Sequence, residues 1–213
     1  MTEQIEKLFK NLQKNKMHPI FAQDKEDARN LVKDILFDDA VITWGGSMSV
    51  IECGIDEILR DKKYRFMDRG RAGITAQEQQ ECFKASIGAD FFFCSANAIT
   101  EKGEIYNVDG NSNRVTALIY GPKSVVIVAG VNKLVENLDA AITRVKTVAA
   151  PKNAARLSCD TPCAKTGHCI ALDGGMTDGC ASPARICCNF TVMAQQRHVD
   201  RVKVILVGEE LGY

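Results

Sequence analysis

The chain has 213 residues, with 27 Lys+Arg balanced by 27 Asp+Glu and a formal net charge of zero. Hydrophobic residues make up 46% and charged residues 25%, which suits one large domain, or a domain with an appendage, and excludes a disordered chain. The even charge argues against a broad nucleic-acid footprint, no apolar run reaches the roughly 18–20 residues that span a bilayer, and the charged N-terminus lacks the apolar stretch of a signal peptide. A cytoplasmic protein is expected.

Along the chain, Ile5, Leu8, Phe9 and Leu12 recur at helical spacing, and Met17-His18-Pro19 ends that pattern. Asp24 is placed to cap a second helix that buries Ala28, Leu31, Val32, Ile35 and Leu36. Residues 1–37 are therefore read as an N-terminal helical segment, and 38–213 as an α/β domain. Ala40–Thr43 reads as a buried strand running into Trp44-Gly45-Gly46-Ser47, after which Ser47 or Ser49 starts a helix. Arg65–Asp68 is a weak strand, and Thr75 caps a helix through Glu78, Cys82 and Phe83. Asp90–Cys94, Val115–Tyr120, Ser124–Ala129 and Lys203–Val207 are apolar enough to be strands buried on both faces, while Leu138–Val148 is helical. The expected fold is α/β: a mostly parallel open sheet with helices on both faces, plus a cysteine-rich insert over 158–188.

Three constellations carry chemistry. The Gly45-Gly46-Ser47 turn lets backbone approach an anion, with Ser47 and Ser49 as hydroxyl donors; the plainer reading is a tight turn with an ordinary serine cap. The second is the polar run from Asn97 to Arg114. Arg114 is placed to grip a carboxylate or phosphate in a fork, Asn97, Asp109 and Asn113 to line the same site, and Glu101 or Asp109 to act as base or nucleophile. Lys102-Gly103 reads as a surface turn. The third is six cysteines between Cys159 and Cys188. Cys163, Cys169, Cys180 and Cys187 are a candidate ligand set for zinc or an iron–sulfur cluster, with Cys159 and Cys188 as substitutes, and metal ligation would offset the ordering entropy of so polar a loop. Free thiols or one labile disulfide is the alternative. Cys53, Cys82 and Cys94 fit core packing.

The ordered set of motifs then carries a resemblance. Trp44-Gly-Gly-Ser-x-Ser49, Glu52-Cys-Gly54, Ser95-Ala-Asn-Ala-Ile-Thr100, Asn107-Val-Asp-Gly110, Gly121-Pro-Lys123 and Gly130-Val-Asn-Lys133 resemble the LUD-domain family, which includes lactate utilization protein C. The likeness continues through Ala150-Pro-x-Asn-x-x-Arg156-Leu157, Thr166-Gly-x-Cys169, Arg185-Ile-Cys187 and Val207 to Tyr213. It implies a fold similar to the sugar-phosphate isomerase, glucosamine-phosphate deaminase and CoA-transferase group, with anionic ligands at strand ends. It also implies a link to oxidation of L-lactate to pyruvate alongside iron–sulfur partner proteins. Two departures matter: Asp109-Gly-Asn-Ser-Asn113 replaces the Asp-Gly-Ala-Asp-Glu run of ribose-phosphate isomerases, and the Glu-Asn-Gly run of CoA transferases is missing. Neither mechanism transfers. The leading expectation is a lactate-type organic-acid protein that binds a small anionic metabolite. An isomerase or acyl-CoA-transferring enzyme, and an electron-transfer accessory built on the cysteines, are the alternatives. A homo-oligomer is compatible with the sequence.

Overall fold

The computed structural model describes residues 2–213. Helix α1 (Glu3–Lys14) is capped by Thr2 and leads into strand β1 (His18–Ala22); α2 (Lys25–Ile35), capped by Asp24, leads into β2 (Val41–Trp44). Next come α3 (Met48–Glu52), α4 (Ile55–Leu59), β3 (Arg65–Met67) and α5 (Ala76–Ala85), the last held by a capping box between Thr75 and Glu78. Strands β4 (Phe91–Cys94), β5 (Ala98–Thr100) and β6 (Ile105–Asp109) precede α6 (Asn113–Ile119), β7 (Ser124–Gly130) and β8 (Leu134–Val135). Helix α7 (Leu138–Arg144) runs through a π turn at Val145–Ala149 into α8 (Ala150–Arg156); α9 (Pro162–Thr166), β9 (Asn189–Met193) and β10 (Val202–Val207) complete the chain.

The main sheet has six strands in the order β1-β10-β7-β4-β2-β3, every pair parallel. Its alternation explains why the strands read as unbroken apolar runs. Phe92, Cys94, Val125, Ile127, Val204 and Leu206 face one core with Leu8, Leu12 and Leu118, whereas Phe91, Phe93, Val126, Val128, Ile205 and Val207 face another with Val32, Val50 and Ile55. Both faces are buried under other elements, as a parallel sheet requires. At roughly 25 cal/mol per Å² of buried apolar surface, these two cores are the dominant stabilising term.

Three readings of the sequence need correction. Val115–Ile119 belongs to α6, with Tyr120 as its C-cap, and not to a strand: Val115, Ala117 and Leu118 are buried while Thr116, Ile119 and Tyr120 are exposed, a helical rather than an alternating pattern. The Asp109 carboxylate accepts from the backbone N–H groups of Arg114 and Val115 at 3.1 and 3.2 Å and so caps this helix from outside it. His18–Ala22, read as part of a helical segment, is an edge strand paired in parallel with β10; Pro19 cannot donate to the ladder and is tolerated at an edge. A second, four-stranded sheet, β8-β5-β6-β9, went unread because its strands are only two to five residues long and β6 and β9 carry polar residues.

Candidate functional site

Because the main strands run parallel, their carboxyl ends open on one edge of the sheet, where ligands of open α/β folds sit. β2 delivers Gly45-Gly46-Ser47 there, β4 delivers Ser95-Ala96-Asn97, β7 delivers Lys133 through a short 3-10 turn, and the segment after β10 delivers Tyr213. The end of β6 and the start of α6 add Asp109, Asn113 and Arg114, and α8 closes the far side with Asn153 and Arg156. Together they line a cleft of about 270 Å³.

Two glycines are required here. Gly46 has φ +69°, and a Cβ on it would lie 2.7 Å from Arg69 Nη2. At Gly130 a Cβ would lie 2.5 Å from both Glu209 O and Leu211 N, so the C-terminal tail can cross the end of β7 only over a glycine.

Of the residues expected from sequence, Gly45, Gly46, Ser47, Asn97, Asp109, Asn113 and Arg114 line this one cleft. Ser49 lies fully buried behind the wall. Glu101 stands elsewhere, paired with Lys7 of α1 at 2.8 Å, and that pairing holds its carboxyl below the usual range. Arg114 is present, but its fork is committed to the protein. Nη1 donates to Ser95 O at 3.3 Å and to Asn107 Oδ1, and Nη2 donates to Asn97 Oδ1 at 3.1 Å and Val108 O at 2.7 Å. It therefore ties the end of β4 to β6 and gives the cleft charge rather than a free bidentate grip.

Sequence reasoning missed the cation that keeps its donors free. Among the described residues, Arg69 uses a single N–H on protein, Nη2 to Gly45 O at 2.6 Å, and its buried Nε has no partner. Its guanidinium lies 5.3 Å from the centre of the Phe83 ring, and burial pushes its pKa down. Arg156 donates to the Tyr213 hydroxyl and to Asn153 Oδ1 at 2.8 Å. Lys133, only 3% exposed, donates to Ser95 Oγ at 2.9 Å and Ser49 Oγ at 3.0 Å. Burial, then Arg144 and Arg114, push its amine down to about 7. Lys133 and Arg156 stand inside motif runs that the resemblance used, but one isolated cation in an apolar context gives no sequence signal for a cleft. Arg69 follows a three-residue strand in a charged stretch and was equally silent.

Cys163, Cys169, Cys180 and Cys187 also converge, around a small, mostly apolar chamber beside the cleft, and Cys187 stands in the wall of both. The chamber holds only about 30 Å³ of free space, near the size of one water. As placed, no group of three or more His, Cys, Asp or Glu among the described residues could hold a metal ion. The thiols do not fit zinc or an iron–sulfur cluster without rearranging. The loop is ordered by other means: Lys146 Nζ donates to the carbonyls of Ala171, Gly174 and Gly175, and Arg185 donates to those of Thr177, Cys180 and Cys187. Burial first, then the neighbouring thiols, push Cys187 up to about 11.

An open α/β domain with a cationic cleft at its strand ends defines the class. The family model of the LUD domain matches residues 5–207, and the chain belongs to the LUD-domain family. A solved structure, that of a DUF162 family protein from Deinococcus radiodurans at 1.70 Å resolution, matches with 14% identity over 97% of each chain and a TM-score of 0.49. No curated protein matches the chain. No helix among the described residues is long and apolar enough to cross a membrane.

Proposed function

We propose that the chain serves lactate-type organic-acid utilisation by binding a small carboxylate, of the 2-hydroxy or 2-oxo acid class, in the strand-end cleft. The observation that carries this reading is the charge of the wall: among the lining residues Arg69, Arg114 and Arg156 stand against a single carboxylate, Asp109. That carboxylate is already taken by the N–H groups of Asn111, Arg114 and Val115. Arg69, with donors to spare, is the residue assigned to grip the anion, aided by the Ser47 hydroxyl and the amide of Asn113. The cleft, of about 270 Å³, has room for a small carboxylate. The family's association with lactate utilisation agrees with that ligand class. A strain lacking this chain should lose growth on L-lactate, and Arg69→Met should not restore it; full growth of the deletion strain would reject the role.

A second reading, a metal-bearing accessory to iron–sulfur partners in the cytoplasm, draws support from the four converging thiols and is opposed by their present arrangement. Elemental analysis of anaerobically purified protein separates the two. Iron or zinc near one equivalent supports the accessory, and less than about a tenth of an equivalent after reconstitution leaves free thiols.

A further inference from the structure

The cleft contains a polar cluster that anion binding does not use. Ser95, at the carboxyl end of β4, lines the cleft, and its Oγ lies 2.9 Å from Lys133 Nζ and 3.3 Å from Ser49 Oγ. Ser49 Oγ lies 3.0 Å from the same amine and 3.4 Å from the Leu211 carbonyl, to which its hydroxyl can donate. The three groups form one closed hydrogen-bonded triangle, with Ser95 and Lys133 lining the cleft and Ser49 behind them. Among the described residues no carboxylate touches the amine: its hydrogen-bond partners are two neutral hydroxyls. An unpaired ammonium buried to 3% exposure is costly, and a neutral amine costs far less. In the neutral state the amine donates to Ser49 and its lone pair accepts the proton of Ser95. The other acceptors within reach of that hydroxyl are more distant: Ser49 Oγ at 3.3 Å and the Ala96 carbonyl at the 3.5 Å limit.

We infer that Ser95, Lys133 and Ser49 form a serine–lysine acyl-transfer centre, with Ser95 as nucleophile, Lys133 as its base and Ser49 as the positioning residue. The substrate class is a small ester, thioester or anhydride whose acyl or leaving portion carries a carboxylate or phosphate, since Arg69 and Arg156 line the same cleft. In the first step Ser95 Oγ bonds to the acyl carbon while its proton moves to Lys133 Nζ. The bond to the leaving group then breaks, and Lys133 returns that proton to the departing atom. Water, deprotonated by the same amine, releases the acid and restores Ser95. The guanidinium groups of Arg69 and Arg114 in the wall favour the negatively charged tetrahedral intermediate. This activity stands apart from the organic-acid reading and does not depend on it.

Burial lowers the amine's titration most; the charged and titratable groups facing it are Arg144 of α7 and Arg114 of α6, which lower it further, and Glu52 of α3 and Cys94 of β4, which raise it. The test is labelling of the purified chain with an alkyl fluorophosphonate, in which a serine oxygen displaces fluoride, with the labelled residue mapped by tandem mass spectrometry. Labelling should fall on Ser95, be absent in Ser95→Ala, and rise with pH about a midpoint near 7. General-base assistance of ordinary size predicts labelling at least about 100-fold slower in Lys133→Met. Lys133→Arg keeps a buried cation and its donors but cannot accept a proton, so it should be equally slow even if the methionine variant folds poorly. No label on Ser95, or an unchanged rate in Lys133→Arg, overturns the assignment. Binding of L-lactate or pyruvate by the same preparation is measured separately, so the two readings fail independently.

Discussion

The cationic cleft and the thiol chamber share a wall formed by Val145, Ala150, Ile186 and Cys187, yet they are built on different principles. The cleft takes its residues from strand ends and from α6 and α8, which the packed cores hold in place, and most of its polar groups, Arg69 excepted, are held by committed hydrogen bonds. The chamber is assembled from a segment with one short helix and long turns, pinned at its carbonyls by Lys146 and Arg185. A scaffold that fixes side chains in advance suits recognition of a small ligand. A loop stitched through its backbone holds its thiols by little else: Cys163 Sγ meets Thr161 Oγ1 at 3.3 Å and Cys188 Sγ donates to the Arg185 carbonyl at 3.3 Å.

That contrast breaks most directly at Arg114. Arg114→Ala takes the guanidinium from four oxygens, on Ser95, Asn97, Asn107 and Val108, of which the two amide oxygens keep a backbone N–H, and should cost about 3 kcal/mol in urea unfolding. A loss below about 1 kcal/mol would mean that the cleft is not held together this way. Per pH unit, the next effect in size is that of pH through Lys133. With its folded value near 7 against an ordinary 10.5, the unfolded chain binds the extra proton between those limits, so stability rises with pH across that window. The slope approaches about 1.4 kcal/mol per pH unit, and Lys133→Met should remove it, as unfolding curves at successive pH values would reveal.

Gly46→Ala tests preorganisation rather than stability. The positive φ costs about 1 kcal/mol, while the clash falls on the mobile end of Arg69, so ligand affinity should drop more than stability does. The smallest effect is expected in the chamber. Cys163→Ser should change stability by about 1 kcal/mol or less in urea unfolding, because the thiol is half-buried and holds no metal as placed. A much larger loss in anaerobic protein would show that the four thiols close on a metal, and would move the chamber from the loosely held class to the preorganised one.

The parts of the fold that were legible are those where local pattern and tertiary role agree. β4, β7 and β10 are apolar on both faces, and Asp24, Ser47 and Thr75 are caps whose side chains bond the backbone of the helix that follows, so single-residue reasoning finds them. Val115–Tyr120 failed because Val, Ile and Tyr favour strands by type, while the decisive signal, the cap from Asp109, is tertiary. At the site, Gly45-Gly46-Ser47 and the Asn97–Arg114 run stood out because polar residues interrupt apolar strands. Arg69, Lys133 and Arg156 did not, since each is a single cation whose meaning lies in neighbours remote in sequence. The role of Arg114 was misjudged for the same reason: sequence shows a guanidinium but not the four oxygens that occupy it.

The central claim is that the strand-end cleft binds a small carboxylate through Arg69. Isothermal titration with L-lactate and with pyruvate, on the wild-type chain and on Arg69→Met, tests it most directly. The account predicts one site per chain for at least one of these acids and at least about tenfold weaker binding in the variant, a loss of about 1.4 kcal/mol, with the unfolding transition unchanged. Equal affinity in the two proteins, or no binding of either acid by the wild-type chain at about 10 mM, far above the roughly millimolar range of weak specific sites, would contradict it.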